Sequence, residues 1–406
     1  MSFHDRRQEA RPTSGEAPFG LNEVFFSRTD DRGIIRAYNY VFHRVAHYKA
    51  KDLLGKPHKI IRHPDMPRGV FHLFWDTLKS GRFMGAYVKN KAKDGLHYWV
   101  FAVVAHTSDG YLSARIKPSS SLFTTVMSEY DALLEAEKKE ELSPEQSAAR
   151  LLERLKALGF DDYHSFAAYA LAEELTARDA GLNAVPDPKI TEFRTKLDHA
   201  DELVNETEGL VQEFEAMRTI PHNLRVIASR IEPAGGPVTV LSQNYGTMSR
   251  DMSDWFATHV LGENSNFAAI KGTVNNSMFV ECMARIMIEC DTQLQKEKRD
   301  IEGINMQQER KILGDLVKDQ RKSARDGLAN VNFEADRILT ACNVMHRHFL
   351  GLSSTRVLCK IESARLPTEG EALTAIIDQL GIFQARISSQ LERIAHLSSA
   401  IQASDH

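Results

Sequence analysis

The 406-residue chain has no uncharged apolar run near the ~18 residues that cross a bilayer, so no membrane-spanning helix is expected. Its first residues, MSFHDRRQEARPTSGEAPFG, lack the apolar stretch of a secretory signal. They read as a polar, disordered tail over 1–20, and a cytoplasmic protein is expected. Cysteine is scarce. Cys282, Cys290, Cys342 and Cys359 include no C-x-x-C pair, which excludes a disulfide scaffold, a zinc ribbon and a thioredoxin-type motif. They read instead as small buried apolar residues. A basic surplus is also missing: a net charge of −4 gives nucleic acid no footing as the main partner. No phosphate-binding G-x-x-x-x-G-K-[ST] or nucleophile elbow G-x-S-x-G occurs, and no kinase phosphoacceptor box has a nucleotide-binding domain behind it, so no enzyme is expected. What remains is an ordinary globular composition, 42% hydrophobic and 26% charged, long enough for two or three domains.

The character of the chain changes near residue 120. Residues 21–120 are rich in aromatic and β-branched residues, broken by the turn signals D-D-R-G, K-D-G and S-D-G. Residues 23–28 and 33–38 read as strands and 40–47 and 51–54 as short helices. Residues 67–80 read as an amphipathic helix with Val70, Phe71, Phe74, Trp75 and Leu78 on one side. Three alternating strands follow, over 83–92, 97–105 and 111–116. This order predicts an α+β domain with a five-stranded antiparallel sheet and helices gathered on one side.

Strand signals stop after residue 120. Residues 121–183 read as a compact helical connector that packs on the first domain. Within it, Ser143-Pro144-Glu145-Gln146 is a helix start with a capping box. Residues 187–406 read as an all-α hairpin or coiled-coil output region. Leu197, Ala200, Val204, Thr207, Val211 and Phe214 follow a heptad, as do Val238, Leu241, Tyr245, Met248, Met252 and Trp255 beyond a tip at Gly235-Gly236. A fainter second hairpin repeats this around 367–370. Arg356–Glu362 echoes Arg225–Glu232, and Ile377, Leu380, Ile387, Leu391, Ile394 and Ile401 form its return seam. Packing the two return seams together predicts a four-helix bundle within one chain. Pairing each hairpin with a second copy, in a homodimer, is the other solution.

The densest cluster of unusual residues is Pro57-His58-Lys59-Ile60-Ile61-Arg62-His63-Pro64-Asp65-Met66-Pro67. Prolines on both sides hold Arg62, His63 and Asp65, which suits an anionic or heteroaromatic ligand. The bland reading is that Asp65 caps the helix beginning at Pro67 and pairs with Arg62. Ile60–Pro67, Phe74–Gly81, Val88-Lys89-Asn90 and Asp94–Val100 together resemble the PAS domain of Aer-type aerotaxis and redox receptors, over about residues 25–120. The resemblance implies a five-stranded sheet cradling a ligand pocket, and FAD that is sensed and not turned over. It implies flavin-binding positions at Arg62, His63 and Asp65, with Asn39, Asn90 and Trp99 in the accompanying motifs. Met84 stands where the family has Trp, and Ala46-His47-Tyr48 where it has Ser-Gly-Tyr.

Haem b is the rival cofactor, with His72 on the amphipathic helix as its ligand; a solvated or core-satisfied histidine is the plainer reading. His43 and His47 are spaced to chelate a metal but have no evident third ligand. Asn223–Glu232 with its Gly-containing tip resembles the cytoplasmic hairpin of methyl-accepting chemotaxis receptors, which implies the adaptor CheW and the kinase CheA as partners. A structural coiled coil for dimerisation is the alternative.

Overall fold

The computed structural model describes residues 11–217, 219–231, 236–259, 266–297, 301, 303–364 and 370–402. It divides into two compact units. The first holds residues 1–190 and 275–326, the second 191–274 and 327–406.

In the first unit, β1 (Phe25–Asp30) and β2 (Ile35–Tyr38) precede α1 (Tyr40–Ala46). Two 3₁₀ turns, Ala50–Asp52 and His58–Ile61, lead to α2 (Arg68–Lys79). Then come β3 (Met84–Lys91), β4 (His97–Thr107) and β5 (Gly110–Ile116). The strands form one antiparallel sheet in the order β2-β1-β5-β4-β3. The β1 strand runs two residues further than its apolar pattern, because Asp30 is both the last strand residue and the clasp of the turn. Its carboxylate accepts from the amides of Arg32 and Ile34. Gly110 opens β5 at a φ of 150°, and a Cβ there would lie 2.1 Å from the Thr29 carbonyl, so only glycine fits.

Alternation gives the sheet two buried faces. The inner face meets α1, the turns and α2 around a core of Phe19, Phe25, Tyr38, Phe42 and Tyr98. The segment read as a disordered tail is corrected here. Ala17 donates its amide to the His97 carbonyl at 2.7 Å and is fully buried, and Phe19 packs edge-on against Phe25. Two apolar side chains among polar neighbours are enough to anchor residues 16–19. Residues 1–10 lie outside the described ones.

The outer face is covered by α3 (Ser121–Lys139), α5 (Tyr163–Gly181), α9 (Asn266–Lys296) and the start of α10 (Met306–Ser363). Tyr87 and Trp99 meet Phe123 of α3. Phe279 of α9 sits over Gly85, where a Cβ would approach its ring to 2.7 Å. Arg28 reaches Glu309 of α10 in a bidentate, nearly dry ion pair. α4 (Pro144–Ala157) has the expected capping box at Ser143 and packs on α2 so closely that a Cβ at Gly69 would lie 2.5 Å from its backbone. The expected boundary at 187 is therefore not where the structure divides: residues 275–326 belong with the sheet.

In the second unit, α6 (Pro188–Met217), α7 (Thr219–Ile231), α8 (Pro237–His259), the later part of α10 and α11 (Gly370–Gln402) pack side by side. The α6 seam is Ala200, Leu203, Thr207, Leu210, Phe214 and Met217. Val204 and Val211, placed on it by the sequence pattern, are only half-buried. Val331, Ala335, Ile338, Cys342, Met345, Phe349 and Leu352 make the α10 seam, and the expected Ile377–Ile401 positions make that of α11. Val238, Leu241, Tyr245 and Met252 are buried on α8, while Met248 and Trp255 are half-buried. Tyr245 donates to Gln384, which donates to the Phe349 carbonyl, so α8, α10 and α11 share one polar layer. The faint repeat is only partly matched in burial: Ala228 and Cys359 are buried and Val226 and Val357 exposed, but Ile227 is buried where Leu358 is exposed. Both expected tips fall largely on residues outside those described.

Candidate ligand-binding cavity

Between the inner face of the sheet and α2 lies a cavity of about 130 Å³. Phe71, Phe74, Trp75 and Leu78 wall one side. Ser27 and Thr29 of β1, Asn90 of β3, Val104 of β4 and Tyr111, Ser113 and Arg115 of β5 form the other. Helical spacing puts the α2 residues on one face, and the two-residue period of β5 puts Tyr111, Ser113 and Arg115 inward while Leu112, Ala114 and Ile116 turn outward. The α2 wall is held from behind. Pro67 provides no side-chain cap, and Glu137 of α3 takes that role, accepting from the amides of Arg68 at 2.6 Å and Gly69 at 3.3 Å and from the Ser147 hydroxyl.

Two of the six sequence-selected residues come together here. Arg62 bridges to Asn90 by backbone pairing, and both line the cavity; the Arg62 guanidinium lies 3.5 Å over the Phe71 ring at the exposed mouth. The other four are elsewhere. His63 is half-buried beside the cavity loop, its Nδ1 accepting from the Asp65 amide, and burial lowers its pKa. Asp65 neither caps α2 nor pairs with Arg62; its carboxylate is exposed near Lys89. Asn39 caps α1: its Oδ1 accepts from Phe26 and Phe42, and its Nδ2 donates to Val24 and Glu297. Trp99 points to the outer face, against Phe123 and Tyr130.

His72 also lies outside the cavity, 3.7 Å from Glu145 of α4. His43 stacks on Tyr38, and no group of three metal-binding side chains exists among the described residues.

The cavity's chemistry comes from residues that the sequence reading passed over. Arg115 is 5% exposed. Its Nη2 donates to Ser27 Oγ at 2.9 Å and to His58 Nε2 at 2.8 Å. Its Nη1 and the Ser113 hydroxyl have no hydrogen-bond partner among the described residues. The available signal was the strand alternation, which turns an arginine inward between two apolar neighbours. Aromatic walls with unspent donors at one end fit a flat heteroaromatic ring whose edge carries acceptors, as the isoalloxazine of a flavin does. The volume is below the ~300 Å³ of ordinary ligand pockets.

Residues 36–110 match the family model described as PAS fold, and with this sheet order the segment is a PAS domain. Over 126 residues the chain is 36% identical to the aerotaxis receptor of Escherichia coli (strain K12), covering 30% of this chain and 25% of the receptor. The chain thus spans about a quarter of that relative's length. Solved structures with similarity include the blue-light photoreceptor Aureochrome1 LOV in its light state, 19% identical, covering 26% of this chain and 90% of that one with a TM-score of 0.24. A second is the LOV domain of the Erythrobacter litoralis EL346 blue-light activated histidine kinase, 12% identical, covering 23% and 90% with a TM-score of 0.21. Among the described residues, no helix is long and apolar enough to cross a membrane.

Proposed function

We propose that this is a cytoplasmic signal-transduction protein whose PAS domain holds FAD, senses redox state or oxygen through it, and relays the state to a helical output of the chemotaxis type. The observation that carries the reading is the cavity itself: aromatic walls, a guanidinium at the mouth and unpaired donors at the closed end. The similarity to an aerotaxis receptor over this segment supports it. Phe71 and Trp75 would flank the ring, Asn90, Ser113 and Arg115 would meet its polar edge, and Arg62 would meet the part that leaves through the mouth. When bound, the flavin supplies reversible electron uptake. The chain's residues hold and orient it and keep water from its buried edge; no substrate is turned over. CheW and CheA, or a second copy of the chain, are the partners that the helical output implies.

The small cavity favours one other reading, a PAS domain that works by protein contacts without a cofactor. The visible spectrum of the purified protein separates them. Flavin bands are the expected result; a haem Soret band or a colourless folded protein overturns it. Arg62→Ala should weaken FAD binding by about 1 kcal/mol without unfolding the domain, since an exposed cation–π and charge contact is lost but little core. Equilibrium dialysis with a thermal melt checks this.

A further inference from the structure

Arg115 is a buried cation without a counter-ion among the described residues. Around it stand Ser27, His58, the face of the Phe42 ring, the Tyr98 phenol and the Cys290 thiol, and no carboxylate pairs with it among the described residues. None of these is an anion at neutral pH. Burial pushes the Tyr98 phenol and the Cys290 thiol upward. His58 accepts at Nε2 and is neutral, with burial and the neighbouring guanidinium pushing its pKa down to about 3. Folding has thus dehydrated a guanidinium and left its Nη1 pointing at nothing, next to a second unsatisfied donor, Ser113 Oγ, in the same cavity. A structural arginine buried this deeply takes a carboxylate, as Arg28 does with Glu309 on the other face.

We propose that Arg115 is the residue that reads the ligand: its free Nη1, together with the Ser113 hydroxyl, receives the acceptor edge of a planar ligand that carries or can take up negative charge. This rests on the flavin reading above and deepens it. A buried cation at the edge of the ring stabilises the electron-rich form over the oxidised one, so Arg115 sets the reduction potential as well as the affinity. His58 is its resting partner, and binding turns the guanidinium from His58 Nε2 toward the ligand.

The test uses the full chain reconstituted with FAD, comparing wild type with Arg115→Met and Arg115→Lys by equilibrium dialysis and dye-equilibrated potentiometry. In Arg115→Met the reduced form should lose at least tenfold in affinity relative to the oxidised form, a fall of about 30 mV for a two-electron couple. Arg115→Lys should retain most of the potential. Without ligand, Arg115→Met should be more stable than wild type, because a residue kept for binding costs stability where a structural one adds it. Wild-type potential and affinity in folded Arg115→Met overturn the proposal and leave the flavin reading standing; failure of folded wild-type protein to take up FAD overturns both. If the variants do not fold, the imidazole nitrogen resonances of His58 in the wild type decide: they should move on FAD loading, and unchanged resonances overturn the proposal.

Discussion

His58 and Glu174 carry charge-capable groups into the interior in opposite ways. His58 is held neutral, its pKa pushed from 6.5 to about 3 by burial and Arg115. Between those values the unfolded chain binds a proton that the folded chain refuses, so stability rises with pH across the window and is lost as pH falls below 6.5. The loss is about 1 kcal/mol one pH unit below the ordinary histidine value. Burial lowers His43, His63 and His164 as well, with the same sign. Glu297, raised by burial, acts in the opposite sense above its ordinary 4.5. Urea unfolding at a series of pH values should show a slope that His58→Gln flattens but does not abolish. Glu174, fully buried, pairs with no cation among the described residues. It accepts from the Ser119 and Ser120 amides, the Ser120 hydroxyl and the Tyr87 phenol, whose pKa is pushed upward by burial first and by this carboxylate second. Glu174→Ala strands three buried donors and the part-buried Ser119 amide, and the expected cost is about 3 kcal/mol or more, read by the same unfolding experiment.

At the scale of the element, α2 depends on its neighbours. Its first amides are satisfied by Glu137 of α3, and Gly69 lets α4 approach. Glu137→Ala should cost about 1–2 kcal/mol, the range for a lost helix cap. It should also loosen the cavity wall, so that bound FAD dissociates faster in a stopped-flow displacement experiment. The start of α10 meets the sheet through Arg28 and Glu309. Arg28→Met alone leaves a buried carboxylate and should destabilise by about 3–5 kcal/mol, while Arg28→Met with Glu309→Leu should recover most of that. A double-mutant cycle in urea measures the difference.

At the scale of the whole molecule, residues 275–326 complete the unit built around the sheet, far from it in sequence. Glu297 and Gln293 of this segment meet Asn39, Tyr40 and Val24, and Arg285 and Glu289 pair with Asp179 and Arg178. A fragment of residues 11–190 should therefore expose outer-face apolar surface around Gly85 and bind a hydrophobic dye that the full chain does not. A fragment of residues 187–406 should form the bundle of the second unit but leave Phe279, Met283 and Ile286 without their cover, and associate as concentration rises. Sedimentation velocity with dye fluorescence tests both.

How much of this was legible follows from the range of the forces involved. The five strands, the amphipathic α2, the Ser143 capping box and the heptads of α8 and α11 are set by residues within a few positions of one another, and alternation or helical spacing is enough to read them. The R-H-P-D-M-P and V-K-N motifs placed Arg62 and Asn90 at the cavity, but Asn39, Asp65 and Trp99 turned to other tasks, because which face of an element meets a ligand depends on what covers the opposite face. That cover arrives from residues 121–181 and 275–326, and no local pattern announces it. The same holds for Arg115. Alternation could turn it inward, but only the absence of a paired carboxylate among the described residues, a property of the packed neighbourhood, makes its guanidinium an unspent donor. The sequence by itself determined the PAS-type sheet and the helical seams, since hydrophobic periodicity is local chemistry. Tertiary structure alone decided that part of the distant helical region would close the sheet and that the cavity would end in a lone buried cation, since burial is fixed by every segment that packs at a point.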